Sequence, residues 1–402
     1  MSPLFRPEPE LGLVLHIGSS SIAAGLVRFN KGELPQIIYM LRELIRYQEN
    51  LNPEQFFSDM LDTLKIVNSR LAKEGLTHLK FTEFGELKIK HVYYVFSSPW
   101  AVTQTKISTI SKPEGFTLTQ DMVTAVIDAQ EKAFEQETLG DAELKDALRA
   151  VEKRVVQIKL NGYEILAPYG KTAKRADISV FVSIVPKAVL DKVFDISITT
   201  YHPKDTIVSS LSLATYSIIR DIYHDQSDFM LLDVGGEVSD LTIVKDSVLT
   251  ETASFPLGRN FIVRRIGKLM GVTAEEAASL VKLYHEGHID PAVEAKLKPI
   301  ITQASEEWME GFRNVLTRLS EKMSLPTTVY AIIYNDFVHF FMTVLRNEKI
   351  SEFGVNDFSL SAILINHESL KSVVTFGKHA DKDPFVAILA AFAGRLYEAK
   401  LK

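Results

Sequence analysis

The chain has 402 residues, 46% hydrophobic and 24% charged, with a mean hydropathy of +0.05, which describes a soluble globular protein rather than a fibrous, disordered or membrane-embedded one. At roughly 100–200 residues per domain, that length implies two or three folding units. The balance of 45 basic against 51 acidic residues, net −6, speaks against a surface built for nucleic acid, and the lack of cysteine excludes disulfides, thiolate nucleophiles, zinc ribbons and iron–sulfur clusters.

The lead MSPLFRPEPELGLVLHIG lacks the basic start and unbroken apolar core of a secretory signal. The longest apolar stretch, 385–394, is about half of the ~18 residues a spanning helix needs. A cytoplasmic location follows as an expectation, with any membrane contact peripheral.

In chain order, LGLVLHIG and SIAAGLVRF read as two strands bent about Gly18, Ser19, Ser20 and Ser21. Residues 52–73 read as a helix, with Asn52 as cap, Pro53 at the first position and Phe56, Met60, Leu64 and Val67 on one face. A middle region opens on the strand HVYYVFSSPW, passes through a helix over 120–135, and continues with VEKRVVQIKL, NGYEILAPYG and ADISVFVSIV before a helical run from Lys187. The charged stretch 135–153 reads as a solvated helix or loop.

The first hairpin is then echoed: FMLLDVGGEVSDLTIV has a second β-rich run, a bend at Gly235 and Gly236, and another apolar run. A helix over 262–269 follows, then a capping-box pair, Thr273 and Glu276. A long amphipathic segment runs from Asp290 and Pro291 to Met323, and TTVYAIIYND begins a final α/β stretch.

Two glycine-bent hairpins in separate halves suit a nucleotide clamp. Glycine lets backbone approach phosphate, and N–H groups at the bend form an anion nest. Gly18, Ser19, Ser20 and Ser21 on one side and Gly235 and Gly236 on the other are the candidate nucleotide-binding residues, with Asp233 the candidate carboxylate for hydrated Mg²⁺. Either turn alone serves as well to reverse the chain.

In order and spacing the chain resembles the FtsA/PilM branch of the bacterial actin-like ATPase superfamily, which supplies a division-ring anchor and a type IV pilus assembly protein. LHIGSSSIAAGLV resembles the family's first phosphate hairpin, and LLDVGGEVSDLTIV, with Asp233, Ser239 and Asp240, its second. VYYVFSSPWAVTQTK, GFTLTQDMVTAVIDAQ and NGYEILAPYGKTA resemble the inserted subdomain that sets this branch apart, and FPLGRNFIVRRIGKLMGVTAEEAASLVKLY the segment over the nucleotide. The resemblance implies an α/β, actin-like (ribonuclease H-like) fold of two lobes. Residues 1–95 would begin the first lobe, 96–203 form the insertion, and 204–402 carry the second hairpin and second lobe, with a helical subdomain near 261–323 and a last helix returning to the first lobe. It also implies ATP with Mg²⁺ as ligand and places Lys282 near the adenosine.

Three departures fall in that pocket. His16 stands where the family has aspartate, Ser279 where it has glutamate, and Tyr334, Asn335, Asp336 and Phe337 replace a glycine-rich adenosine turn. His16 reads either as a phosphate partner when protonated or, more simply, as a satisfied half-buried histidine. The expectation is an adaptor of division or pilus machinery in which nucleotide binding is retained at most and hydrolysis is weakened or lost, so no catalytic residue is assigned. An active, filament-forming FtsA-like ATPase is the alternative. A sugar or acetate kinase is more distant, with Asp240 a catalytic carboxylate by position only. Partners would be envelope-machinery proteins, with self-association into filaments as a further option and the inner face of the membrane reached through a partner.

Weaker signals remain. His285, His288 and Asp290 have metal-like spacing but read as a polar turn. The serines of SSPW lack a nucleophile elbow. Tyr93, Tyr94, Phe96 and Trp100 read as core before they read as a docking face. Phe385, Ile388, Leu389 and Phe392, with Arg395, Lys400 and Lys402, could form a membrane helix, yet without a preceding linker they read as a packed one.

Overall fold

The protein is described from a computed structural model covering residues 9–80, 88–139, 147–346, 360–378 and 380–400. Strands β1 (Glu10–Ile17), β2 (Ser21–Phe29) and β3 (Gln36–Leu44) form an antiparallel meander. Helix α1 (Pro53–Arg70) starts where the Asn52 side chain accepts from the Gln55 N–H, and it continues through a π-turn (Leu71–Gly75) into α2 (Leu76–Lys80). Strand β4 (Ile89–Phe96) then pairs parallel to β1.

The inserted module follows: β5 (Val102–Thr117), α3 (Gln120–Leu139), β6 (Leu148–Leu160), β7 (Tyr163–Glu164) and β8 (Thr172–Pro186), in a sheet of order β5-β8-β6-β7 with its own core around Val180 and Val182. Helix α4 (Lys187–Tyr201) packs on α1, so Val189, Leu190 and Val193 lie in the first lobe's core and the module's sheet ends at Pro186. Strand β9 (Asp205–Ser210) pairs with β4, and α5 (Leu211–Ile222) leads out of the lobe.

The second lobe repeats the plan. Strands β10 (Phe229–Val234), β11 (Ser239–Lys245) and β12 (Val248–Phe255) form a meander, followed by helices α6 (Arg259–Met270), α7 (Ala274–Glu286) and α8 (Pro291–Ser320). The capping box at Thr273 and Glu276 forms, and Asp290 caps α8. Then come β13 (Thr328–Ile333), a 3₁₀ turn (Asn335–Phe337), α9 (Val338–Arg346), β14 (Ser361–Leu364), α10 (His367–Leu370), β15 (Thr375–Phe376) and α11 (Pro384–Lys400).

The two large sheets run β15-β3-β2-β1-β4-β9 and β12-β11-β10-β13-β14. In each, a meander pairs through its first strand with two further parallel strands, so the hairpin echo is an echo of whole half-folds. Alternation along β1 and β10 decides which side chains face between the lobes. Leu13 and Leu15 pack outward under α1, and Met230 and Leu232 outward under α8, whereas Val14 and Leu231 join a core common to both lobes. Helices α5 and α11 fill that common core. Phe385, Ile388, Leu389 and Phe392 of α11 are all buried there, each worth about 1.5–3 kcal/mol, so this face is not available to a membrane; Lys402 lies outside the described residues. Among the described residues no helix is long and apolar enough to cross a membrane.

The charged stretch 135–153 differs from its expected solvated form. Helix α3 runs on to Leu139, 140–146 lie outside the described residues, and β6 carries Glu152 into the interior. There its carboxylate accepts from Ser209 Oγ, from Ser210 Oγ at 2.9 Å and from Ser210 N at 2.9 Å, joining the module to the cap of α5. Burial outweighs these donors and pushes Glu152 up to about 7 from an ordinary 4.5. A carboxyl raised by folding holds its proton more tightly in the native state, so its contribution is complete below about pH 4.5 and fades as pH rises through 7. Urea denaturation between those limits is expected to show falling stability with rising pH, by about 3 kcal/mol at most from this group, and Glu152→Gln should flatten that slope.

Candidate functional site between the two hairpins

Each hairpin is closed locally and then tied to its own lobe. In the first, Gly18 N donates to Ser21 O at 3.1 Å, Trp100 Nε1 to Gly18 O at 2.8 Å and Ile45 N to Ser20 O at 2.8 Å. In the second, Gly235 N donates to Val238 O at 3.0 Å, while its two glycine carbonyls accept from the start of α6, Arg259 N at 2.9 Å and Asn260 N at 2.8 Å. The buried Glu237 carboxylate takes Asn260 Nδ2 at 2.7 Å and Arg264 Nη1 at 3.1 Å. These ties hold the second hairpin against its helix.

The hairpins meet without a gap. Ser19 Oγ accepts from both Gly236 N and Glu237 N, each at 3.0 Å. A Cβ on Gly236 would stand 2.3 Å from Ser20 Cβ and 2.7 Å from Ser20 N, so backbone lies on backbone. Paired N–H groups at such a bend make an anion nest, and here the nest holds a serine hydroxyl.

Beside this contact Tyr334, just past β13, reaches from the second lobe into the first. Its hydroxyl bonds Ser21 Oγ and Arg42, its ring lies 4.6 Å under the Arg42 guanidinium, and its centroid is 5.3 Å from that of Phe385. Arg42 also donates to Ser21 Oγ at 2.5 Å and, through Nε and Nη2, to Asp383 Oδ2 at 2.9 and 2.6 Å. Asp383 is fixed in turn as the cap of α11, accepting from Val386 N at 3.0 Å. Burial raises the Tyr334 pKa, which keeps the hydroxyl protonated. Next along, Arg259 pairs with Asp336 at 2.7 Å and lies 5.0 Å over the buried Phe337 ring.

The structure therefore brings Gly18, Ser19, Ser20, Ser21, Gly235 and Gly236 together. Asp233 lies opposite Asp240 in the β10–β11 register, and its Oδ1 is buried without a hydrogen-bond partner. Burial, and then the Asp240 carboxylate, hold Asp233 well above the ordinary carboxylate range. Lys282 is not brought there: it is exposed on α7, 3.9 Å from Glu286 of the same helix, because its position falls on the solvent face. His16 is buried against Phe385, bonds Ser97 Oγ through Nε2 at 2.7 Å and is pushed down to about 3 by burial and Arg42, so it is a neutral core histidine.

The weaker signals settle as core or surface. Trp100 stacks on Phe56 at 4.9 Å, and Tyr93, Tyr94 and Phe96 are buried. Ser98 Oγ donates to Asp240 Oδ1 at 2.9 Å. His288 is exposed and His285 packs on Phe340, and among the described residues no group of three His, Cys, Asp or Glu could hold a metal. Sequence reading missed Arg42, Asp383 and Glu237 as parts of the site. Asp383 before Pro384 is a readable helix start, but nothing local marks its pairing with Arg42.

A second feature opens beside Asp240. A cavity of about 460 Å³ lies between the lobes and the inserted module, lined by Ser98, Val102, Thr103, Ser210, Ser254 and Phe255 among others. Strands β5 and β12, which border it, are the edges of their sheets.

No family model and no curated protein matches the chain. Among solved structures, the chain is similar to a PilM–PilN type IV pilus biogenesis complex at TM-score 0.61 and 13% identity, over 96% of this chain and 98% of the other. It also aligns with ethanolamine utilization protein EutJ from Carboxydothermus hydrogenoformans (TM-score 0.41, 9% identity, 98% and 91% covered). A Bacteroides thetaiotaomicron protein with an actin-like ATPase fold and unknown function aligns at TM-score 0.40 and 8% identity, with 96% of each chain covered. The match at TM-score 0.61 carries the fold, which is the actin-like ATPase fold. Proteins of this fold generally bind nucleotide with Mg²⁺. The residues here do not fit that group: the phosphate nest holds Ser19, the hairpin backbones touch, and Tyr334 fills the adjoining space. Because Gly236 has no room for even one methyl, Gly236→Ala should destabilise the protein by about 3 kcal/mol in urea unfolding.

Proposed function

We propose that this chain is an actin-like adaptor of envelope machinery, closer to pilus assembly than to the division ring, whose work is to hold a protein partner rather than to turn over nucleotide. The observation that carries the reading is the cavity between lobes and module. The terminal strands of two sheets, β5 and β12, border it, and its lining mixes hydroxyls with apolar side chains, which suits an extended segment of polypeptide. The end-to-end likeness to a PilM–PilN complex supports a protein partner. The burial of α11 speaks against membrane contact through the apolar face of that helix.

The test is fluorescence anisotropy with labelled peptides tiling the cytoplasmic parts of the membrane proteins of the same organism's pilus machinery. At least one peptide should bind saturably, and Thr103→Trp, which fills the cavity, should weaken it tenfold or more while Lys268→Ala, on α6 outside the cavity, leaves it unchanged. Absence of any binding peptide, or binding indifferent to Thr103→Trp, overturns the proposal.

A further inference from the structure

We infer that the two lobes are latched shut by the chain's own residues, with Ser19 standing in for a phosphate oxygen at the Gly236 and Glu237 amides and Tyr334 plugging the space beside it, so that the clamp takes no nucleotide. Two independent contacts carry this. The first is the double donation to Ser19 Oγ at 3.0 Å. A hydroxyl oxygen has two lone pairs, so it satisfies both amides without a charged ligand. The second is at the Tyr334 hydroxyl, whose oxygen accepts from Arg42 and bonds Ser21 Oγ, both of the other lobe, with Arg42 held by Asp383.

The two partners of each contact come from opposite lobes, so admitting a ligand means parting both. The second hairpin cannot swing aside on its own. Gly258, just before α6, sits so close beneath it that a Cβ there would stand 2.5 Å from Gly236 O, and the α6 amides hold both of its glycine carbonyls. Nor can Tyr334 withdraw alone, since its ring is packed against Phe385 and under Arg42. A ligand that binds only the open form is weakened by the open fraction. If about one molecule in a thousand is open, apparent affinity falls about a thousandfold. A nucleotide that binds such a seat with a dissociation constant of about 100 μM would then leave it essentially empty at millimolar concentration.

The inference stands apart from partner docking, which uses the cavity by Asp240. Hydrogen exchange of the full chain, read at the amides of Gly236 and Glu237 with and without MgATP, tests it. In the ligand-free protein both amides should be protected like neighbouring strand amides, and millimolar MgATP should leave their rates unchanged. Ser19→Ala should speed their exchange tenfold or more, and Tyr334→Phe, which keeps the ring, should speed it by a smaller factor. Loop-like exchange of these amides without ligand, or protection that rises saturably with MgATP, overturns the latch, and both readouts on the unmodified chain remain decisive should a variant fail to fold. A chain that binds MgATP and still captures its peptide would refute the latch and leave the adaptor standing.

Discussion

Two backbone N–H groups, those of Gly236 and Glu237, point out of the second lobe into the interface, and something must accept from them, because a buried donor left unpaired costs on the order of 1–3 kcal/mol. What accepts them fixes the distance between the lobes. In this chain the acceptor is the Ser19 hydroxyl, a short side chain on the opposite hairpin. The lobes therefore come to backbone contact at Gly236 and Ser20 instead of standing apart by the width of a ligand. The rest of the interface is built to that spacing: Tyr334 spans it to Ser21 and Arg42, and Ser98 meets Asp240 across it.

The repeated half-fold explains how so small a contact can set the geometry. Each lobe offers its first hairpin at the same place in its sheet, and the inward faces of β1 and β10 share one core with α5 and α11. The lobes are thus already joined by apolar packing, and the polar contacts decide how tightly the hairpins close. The inserted module is tied to the same frame through Glu152 at the cap of α5, so its position relative to the cavity depends on that buried carboxylate.

The parts of this architecture that follow local rules were legible in the sequence. Small-residue bends between apolar runs marked both hairpins, and cap residues marked α1, α7 and α8. The evenly apolar 385–394 marked α11 as a packed helix. What escaped depends on pairs far apart in the chain. Arg42 and Asp383 lie 341 positions apart, and Ser21 and Tyr334 313, and no periodicity links them. Glu152 was hidden by its charged neighbours, since its burial depends on a strand register and on two serines of another element. The replacement of a glycine-rich turn by Tyr334 was visible as bulk where bulk would obstruct; that the bulk reaches across and bonds the other lobe was not.

In the proposed role the actin-like fold serves as a rigid frame, with closure supplied from within. The lack of cysteine makes the central claim directly measurable, because labels can be placed without background. Asn50 and Glu275 are exposed on opposite sides of the same inter-lobe opening. Spin labels on Asn50→Cys and Glu275→Cys, read by pulsed electron double resonance, report the spacing of the lobes. Self-latching predicts one narrow distance distribution that millimolar MgATP leaves unchanged; two populations in the ligand-free chain, or a shift on adding MgATP, would contradict it.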